Sequence, residues 1–499
     1  MLGAPEPDGN GFAASFIFTT KTTHTGAVMR GHDRPSNTGN EAATALKPNI
    51  DSGKLHSAPK STTKSIWQSR TVWGIVLAAL ALRILIVVYY TPRQGWSGDP
   101  GYYLKWGKAL ADTGTYLQDP RHDKMPGMAA IVAVGCRMGE SGCRYFPLAL
   151  FAVCGAAAAA GLWWLLLPGL RPAARVPVLA LLEFAVSELD IFVFRLLPDL
   201  PALTLGVGAI CLLVAAQRSC RLLFGYLAGI LFGAALYLRP DYAPVLLAVV
   251  LTWSVAVYRE HGLKRVLALS LSVALVAVLL VLPWGVRNYR LTGEFRVFGD
   301  LGNRVLWWAF NDQRNLDWNQ GAARSPWQVE AFWHQDGEGA LRAAELWVQN
   351  HPFDSALLMG KRIISHISPL PPTLVNAAAT EIKPRWLRWT YRGTAIVIHE
   401  AWIVVGLIAL ILGLKRLPLP LILLAAFAGS RVVFPGALIP DGGRYALIFI
   451  PFLSCCALWW LGGSERVSVR PSWLGIAAAI LVIQVWLVHD QGLYLYGGG

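Results

Sequence analysis

A stretch that combines acidic, basic, aromatic and turn-forming residues runs from Gly95 to Gly127, directly after the first long apolar segment. Its first half contains Asp99 in the sequence SGDPGYY, and its end contains Lys124 in the sequence DKMPG. A carboxylate can accept a proton from a reacting hydroxyl group, and a lysine can bind an anion. Asp99 is therefore a candidate for acid–base chemistry, although the glycines and the proline around it would equally suit a solvated turn.

The composition of the chain indicates a membrane protein. Its 499 residues are 55% hydrophobic and only 15% charged, which is far more apolar than a soluble domain. The net charge of +14 would also suit a nucleic-acid-binding protein. However, the lysines and arginines collect at the ends of the apolar segments, as they do in cytoplasmic loops between membrane spans. We therefore predict an all-α polytopic membrane protein that has membrane lipids, and no nucleic acid, as partners.

About eleven apolar segments can be transmembrane helices, because a crossing needs about 20 mostly apolar residues. They are Val72–Tyr90, Phe146–Leu167, Val176–Phe194, Ala202–Gln217, Leu222–Leu238, Tyr242–Val257, Val266–Leu282, Ala395–Leu414, Leu417–Phe434, Tyr445–Leu461 and Trp473–Val488. The segment Met128–Val134 is too short to cross alone, so we expect an interfacial or re-entrant helix there.

The charges between these segments predict the side on which each loop lies. Lys60, Lys64 and Arg70 precede the first span and place the N-terminus in the cytoplasm. Threading the chain from there puts further basic residues on the cytoplasmic side: Arg171, Arg175, Arg218, Arg221, Arg259, Lys264, Arg265, Lys415, Arg416, Arg466 and Arg470. The same threading puts four aspartates near span ends at the outer face: Asp99, Asp199, Asp241 and Asp441. The long segment from Pro283 to about Arg392 also falls outside.

The predicted organisation has four parts. Residues 1–70 are polar and rich in turn formers, and they are expected to be a disordered cytoplasmic tail. Residues 71–283 form an N-terminal transmembrane module whose first outer loop, residues 91–145, bears interfacial helices and the catalytic residue. Residues 284–393 form a small extracytoplasmic segment, and residues 394–499 form the C-terminal transmembrane helices. No cleavable signal sequence is expected, so the first span is retained as an anchor.

Three acidic residues within or near one predicted span are unusual. Glu188 and Asp190 lie near its outer end and could join an outer site, because carboxylates in a span face protein or water rather than lipid. Glu183 lies deeper, where it could be hydrogen-bonded or neutral within the bundle.

Metal and redox motifs are sparse. Among the seven cysteines, Cys136 and Cys143 flank a polar, glycine-rich turn. Whether they form a disulfide is left open, since it depends on the turn being extracytoplasmic. The pair His399–Glu400 is more typical of a structural contact than of a metal site, and no paired cysteine motif or nucleotide-binding glycine loop is present.

Several short motifs follow one another at the predicted outer face. They are Asp99-x-x-Tyr102-Tyr103 with Asp123-Lys124-x-Pro126, Leu197-Pro198-Asp199-Leu200-Pro201-Ala202, Leu238-Arg239-Pro240-Asp241, Pro283-Trp284-Gly285-Val286-Arg287-Asn288-Tyr289, and Gly443-Arg444-Tyr445 with Pro451. In order and sidedness they resemble the type C (GT-C) membrane glycosyltransferases, in particular the bacterial branch with the aminoarabinose transferase of lipid A and relatives of the protein O-mannosyltransferases. The resemblance covers most of the chain from Val72 to Pro451. Met125-Pro126-Gly127 departs from it, because the family often has two prolines and a leucine there.

The resemblance implies a GT-C-like fold and an activity. A sugar would pass from a polyprenyl-phosphate-linked donor to a glycolipid, polysaccharide or protein acceptor at the outer face of the bacterial inner membrane, with inversion. Such a donor carries a good leaving group, so the reaction needs a base for the acceptor hydroxyl and cations for the departing phosphate, without a carboxylate nucleophile. The implied site consists of Asp99 as general base, Lys124, Arg287 and Arg444 as ligands of the donor phosphate, and Tyr102, Tyr103, Asp199, Asp241 and Tyr445 as substrate-binding residues. No cofactor is required, although a divalent cation could assist the phosphate.

Alternatives remain open from the residues themselves. Asp199 and Asp241 could instead pair structurally with the neighbouring Arg195 and Arg239. The whole chain could be a transporter or a flippase for lipid-linked sugars, in which acids and arginines line a path. The lack of an inverted internal repeat makes this alternative weaker. A non-catalytic scaffold for envelope assembly is a third hypothesis.

Overall fold

The computed structural model describes residues 69–90, 99–116, 124–187, 196–219, 221–298, 301–310, 337–365, 385–436, 438, 442–463 and 475–485. Residues Ser61–Gly499 belong to one unit. A second unit, Met1–Lys60, lies outside the described residues, as does nearly all of the N-terminal tail that is predicted to be disordered.

Helices are the regular secondary structure of these ranges, and an isolated bridge joins Leu170 to Gly463. In chain order the α-helices are α1 (Arg70–Tyr90), α2 (Asp99–Thr113), α3 (Gly127–Cys136), α4 (Glu140–Leu166), α5 (Arg175–Ser187), α6 (Asp199–Ser219), α7 (Leu222–Leu238), α8 (Ala243–His261), α9 (Leu263–Thr292), α10 (Leu301–Ala309), α11 (Gly337–Asn350), α12 (Pro352–Ser365), α13 (Arg385–Gly413), α14 (Leu419–Arg431), α15 (Gly442–Gly462) and α16 (Gly475–Val485).

Five of the described helical segments are long and apolar enough to cross a membrane. They are Glu140–Gly169, Asp199–Ser219, Pro240–His261, Leu263–Thr292 and Ile396–Gly413. Shorter apolar helices accompany them, including α3 at the position predicted for an interfacial helix. Each of the eleven predicted spans overlaps a described helix. The chain is therefore a multi-pass helical membrane protein, whereas the number of crossings and their orientation stay predictions.

Helix α7 packs closely on α9 because glycines recur every four residues along its facing side. A Cβ atom at Gly229 would lie 2.6 Å from the carbonyl oxygen of Val273, and Gly225 and Gly233 are similarly crowded by α9. Small residues at this spacing let helix backbones approach one another in a membrane. At the end of α7, Tyr237 Oη donates a hydrogen bond of 2.8 Å to the carbonyl oxygen of Leu280. The C-terminal end of α7 therefore lies beside the later turns of α9.

A buried ion pair joins α1 to α5. Arg83 Nη1 lies 2.6 Å from Glu183 Oε2, and Arg83 Nη2 donates to the carbonyl oxygen of Glu183 at 3.0 Å. Both side chains are buried. Of the two environments considered for Glu183, the hydrogen-bonded one is present. Glu188, Asp190 and Arg195 lie outside the described residues.

Helix α9 extends beyond the predicted end of its span at Leu282. Pro283 lies inside the helix, which continues to Thr292 and ends at Gly293 with a φ of 77°. Proline removes one helical hydrogen bond but keeps a helical φ, so a single proline can kink a helix without ending it. Because the helix continues, Trp284, Arg287 and Asn288 occupy positions i, i+3 and i+4, which share one face.

The segment after α9 contains a small apolar cluster of its own. Trp307 and Phe310 at the end of α10 pack with Trp347 of α11, and the Arg362 guanidinium of α12 lies 5.2 Å from the centre of the Phe310 ring. Arg362 Nη2 also donates to the carbonyl oxygen of Ala309 at 2.9 Å. The described parts of this segment are thus helical.

Candidate active site

Asp99 lies in the first turn of α2. Its carboxylate is favoured there by the partial positive charge of the helix N-terminus, and Pro100 suits an early helical position because its missing N–H needs no partner. The residues from Asp99 onward are thus helical. Tyr102 and Tyr103 follow at i+3 and i+4 and lie on the same face as Asp99.

Lys124 contacts Asp99 across a separation of 25 residues. The Lys124 ammonium donates to a carboxylate oxygen of Asp99 in an ion pair that is partly shielded from water. The same ammonium lies 5.7 Å from the centre of the Tyr102 ring and 5.3 Å from that of Tyr103, within the range of cation–π attraction. Four residues that were predicted separately as base, phosphate ligand and substrate ligands therefore form one group.

A row of aromatic rings leads from this group to Arg287. Tyr102 stacks on Trp106 with ring centres 5.4 Å apart, and Trp106 meets the edge of Tyr116 at 5.9 Å. Tyr116 in turn meets Trp284 at 5.5 Å. Tyr116 Oη also donates to the carbonyl oxygen of Lys124 at 3.1 Å. The row therefore connects α2 to α9 through Tyr116.

Arg287 lies at the other end of the aromatic row. Its guanidinium is 4.3 Å from the centre of the Trp284 ring. Arg287 Nη2 donates to the carbonyl oxygen of Tyr116 at 2.9 Å, and Nη1 donates to Asn288 Oδ1 at 3.0 Å. Asn288 is itself held by a hydrogen bond to the carbonyl oxygen of Arg296. Two of the predicted phosphate ligands, Lys124 and Arg287, are thus connected through the same aromatic residues.

A second charged cluster contains Asp199 and Asp241. Arg239 pairs with both, contacting Asp199 directly and Asp241 through two bonds of 2.9 Å and 3.0 Å. Arg431, which is fully buried, contacts Asp241 and lies 4.9 Å from the centre of the Tyr242 ring. The structural pairing with Arg239 is present for both aspartates, while their role in substrate binding stays a prediction. Arg195 lies outside the described residues.

The two clusters are linked by a close contact at the start of α3. Lys124 is three residues before Gly127, and a Cβ atom at Gly127 would lie only 2.5 Å from the carbonyl oxygen of Tyr237. Tyr237 is two residues before Arg239. A side chain at position 127 would push the Lys124 segment away from α7, so a glycine suits this position.

We expect Gly127→Ala to destabilise the protein by about 1–3 kcal/mol, the usual cost of overpacking. Gly302→Ala is the matched control, because Gly302 is also near a helix start and a Cβ atom added there would have no neighbouring atom within 4 Å. That control should be neutral or slightly stabilising. Thermal unfolding midpoints of both variants in detergent test the difference, and equal midpoints would contradict the close contact.

Arg444 and Tyr445 are only partly defined. Both belong to the first turn of α15, but their side chains lie outside the described part of the structure. Asp123 and Asp441 lie entirely outside the described residues. Their predicted roles are therefore proposals.

Sequence reasoning missed two residues of these clusters. Arg431 is a lone cation inside the predicted span Leu417–Phe434, and such a charge usually has a buried partner. The sequence therefore contained a signal that Arg431 has a buried acidic partner. Tyr116, by contrast, stands in a polar loop sequence that gives no sign of its contacts with Trp284 and Lys124.

The cysteine pair left open by the sequence is joined. A disulfide connects Cys136 at the end of α3 to Cys143 in the first turns of α4. Disulfides persist in oxidising compartments, so the bond fits an extracytoplasmic position for this end of α3. It also ties α3, which follows Lys124, to the first long span.

A metal site is not evident in the described residues, since no group of three potential ligands occurs there. Glu400 accepts a hydrogen bond of 2.9 Å from Gln484 Nε2, which links α13 to α16.

No protein-family model and no curated protein matches the chain. Among solved structures, it is similar to the archaeal oligosaccharyltransferase AglB of Archaeoglobus fulgidus in complex with an inhibitory peptide and a dolichol-phosphate, at 12% identity and a TM-score of 0.45, over 85% of this chain and 55% of that one. A second A. fulgidus oligosaccharyltransferase structure, a complex with Zn and sulfate, has 13% identity and a TM-score of 0.45, over 83% and 52%. ArnT from Cupriavidus metallidurans bound to undecaprenyl phosphate has 15% identity and a TM-score of 0.39, over 79% and 78%.

The chain thus spans about half the length of the two oligosaccharyltransferases that it resembles. Oligosaccharyltransferase and ArnT are type C glycosyltransferases, the family that the sequence motifs resemble. At TM-scores below 0.5, this likeness defines neither the activity nor the substrates of the chain, which rest on the residues described above.

Proposed function

We propose that the chain is an integral-membrane glycosyltransferase. It transfers a sugar from a polyprenyl-phosphate-linked donor to a hydroxyl group of a glycolipid, polysaccharide or protein. The observation that carries the proposal is the group formed by Asp99, Lys124, Tyr102 and Tyr103, connected through an aromatic row to Arg287. This group combines a base, cations for a phosphate and ring surfaces in a membrane protein.

The proposed reaction is a single displacement with inversion. Asp99 takes the proton of the acceptor hydroxyl as the acceptor oxygen forms its bond to the anomeric carbon of the sugar. The bond from that carbon to the phosphate oxygen breaks, and the electron pair leaves with polyprenyl phosphate. Lys124 and Arg287, with Arg444 at the start of α15, stabilise the negative charge on the leaving phosphate.

The ion pair between Asp99 and Lys124 also suggests an order of events. A carboxylate paired with an ammonium is a weaker base, because the neighbouring positive charge favours its ionised form. The donor phosphate competes for the same ammonium. When the phosphate binds Lys124, Asp99 loses its partner and becomes a better base beside the acceptor.

The second cluster would orient substrate hydroxyl groups. Asp241 is about one-fifth exposed and is the more accessible of the two carboxylates, whereas Asp199 is only 1% exposed and acts through Arg239. Tyr102, which is 48% exposed, and Tyr445 would contact the sugar or the acceptor. No cofactor is part of this mechanism, and a divalent cation at the phosphate is compatible with it.

We propose that the site faces the extracytoplasmic side of a bacterial inner membrane, with the N-terminus in the cytoplasm. The disulfide beside α3 supports this side, as does the placement of basic residues at the opposite span ends.

Purified protein in proteoliposomes with a panel of polyprenyl-phosphate-linked sugars, radiolabelled in the sugar, tests the activity. We expect label to leave the lipid and appear on envelope glycolipid, polysaccharide or protein acceptors. If label crosses the bilayer while still attached to its lipid, the chain is a flippase. If the label of every donor in the panel stays on its lipid and on its original side of the bilayer, a scaffold function is favoured.

A further inference from the structure

The indole N–H of Trp284 has no assigned role and no hydrogen-bond partner within the described part of the chain. The side chain is only 7% exposed. It lies on α9 three residues before Arg287, whose guanidinium stacks on its ring at 4.3 Å. A buried polar group of this kind loses its contacts with water without receiving a replacement among the described residues.

Packing accounts for the ring of Trp284 but not for its N–H group. The ring fills a small cluster with Tyr116, Met125 and Ala129. Met125 follows Lys124 in the chain, and Tyr116 Oη donates to the carbonyl oxygen of Lys124. Two other buried indoles are satisfied by carbonyl groups: Trp163 donates to Arg175 at 2.7 Å, and Trp253 donates to Leu213 at 3.1 Å. A phenylalanine would fill the Trp284 position without leaving a donor unsatisfied.

Arg287 also has N–H groups that make no hydrogen bond within the described residues. A guanidinium has five N–H groups. Within the described residues, the hydrogen bonds of Arg287 go to the carbonyl oxygen of Tyr116 and to Asn288 Oδ1. Because the guanidinium lies 4.3 Å from the centre of the Trp284 ring, its remaining donors and the Trp284 N–H are close to one another. Together they suit an oxygen atom that carries negative charge and accepts more than one hydrogen bond.

We infer that Trp284 is a ligand-binding residue whose Nε1–H donates to a phosphate oxygen of the polyprenyl carrier, beside Arg287. The inference rests on the proposed function and adds a neutral donor to the cations already named. An inorganic phosphate ion and a phospholipid headgroup offer the same oxygen chemistry. The ring has a second role, since it holds the Arg287 guanidinium in place by stacking.

Trp284→Phe in the full chain tests the inference, because it keeps an aromatic ring and removes the N–H. The probes are farnesyl phosphate and farnesol, bound to protein in phosphatidylcholine nanodiscs. We expect the affinity for farnesyl phosphate to fall about tenfold, which corresponds to about 1.4 kcal/mol. The affinity for farnesol, which lacks the phosphate, should not change. Equal losses for both probes, or no loss for either, would overturn the inference, since ring packing alone would then explain Trp284.

Trp402→Phe is the matched control. Trp402 on α13 also has a buried indole N–H without a hydrogen-bond partner among the described residues, and it belongs to neither charged cluster. Its replacement should leave both affinities unchanged. Benzothienylalanine in place of Trp284 is a second variant, with sulfur instead of the N–H and an indole-like shape. It should show the same loss as phenylalanine. This variant therefore separates the loss of the N–H from any repacking around the smaller phenylalanine ring.

Competition experiments separate the sources of the phosphate. Inorganic phosphate should displace farnesyl phosphate weakly from the native protein and more weakly from Trp284→Phe. Binding of phosphatidylglycerol is measured with the same two proteins. If Trp284→Phe weakens the binding of phosphatidylglycerol but not that of farnesyl phosphate, the site holds a membrane lipid headgroup and the carrier assignment is wrong. If the phosphate-specific loss occurs but no donor supports sugar transfer, Trp284 still binds phosphate and the proposed function alone fails.

Discussion

Asp99→Asn is expected to lower the rate of sugar transfer by about 10²- to 10⁴-fold, the range that a positioned general base contributes. Asparagine has nearly the same shape but cannot take the proton of the acceptor hydroxyl. The effect should fall on turnover. Carrier binding should be retained, or become tighter, because Lys124 no longer has the Asp99 carboxylate as a competitor for the phosphate.

Initial rates at saturating donor and direct binding of farnesyl phosphate separate these two effects. Asp112→Asn is the matched control, since Asp112 is an exposed carboxylate near the other end of the same helix, α2. It should leave both quantities unchanged. Full transfer activity of Asp99→Asn would remove Asp99 from the role of base. Lost carrier binding in that variant would mean that the ion pair with Lys124 builds the phosphate site instead of competing with it.

Much of the helical framework was predictable because membrane spans leave a strong signal. A helix in lipid must satisfy every backbone polar group internally, so it appears as a long apolar run with charged ends. The predicted bounds Leu222–Leu238 coincide with those of α7. Helix α9 continues past the predicted end of its span at Leu282, because a proline inside a helix can be accommodated by a kink.

The candidate site was predictable where its residues are close in sequence or carry a costly charge. Asp99, Tyr102 and Tyr103 share a helix face by their spacing, and Asp241 is two residues from Arg239. The position of Lys124 beside Asp99 follows from the fold of the loop, which periodicity does not encode.

Tertiary packing decided the remaining contacts. Arg83 with Glu183, and Arg431 with Asp241, join helices that are far apart in sequence. An apolar span with one charge predicts that a partner exists but does not say which one. Trp284 belongs to one of the sequence motifs, but nothing in the sequence indicated a role for its N–H group, because an aromatic residue at the end of a span is ordinary at a membrane interface.

Arg239→Met is expected to be the most destabilising of the substitutions considered, at about 3–5 kcal/mol. Arg239 is the cation that Asp199 and Asp241 share, and Asp199 is almost completely buried. Removing it leaves Asp199 without the guanidinium that offsets its loss of water contacts. Asp241 is affected less, because Arg431 still contacts it.

Arg296→Met is the matched control for the loss of stability, because Arg296 pairs with Glu294 at a more exposed position. Exposed pairs contribute about 0–1 kcal/mol, so that variant should unfold at nearly the native temperature. Adding Asp199→Asn to Arg239→Met should restore part of the stability, since it removes the buried negative charge that has lost its pairing with Arg239. Thermal unfolding midpoints of all four proteins in one detergent test the order. If Arg239→Met unfolds no earlier than Arg296→Met, water reaches Asp199, and the second cluster is then as open to substrate as the first.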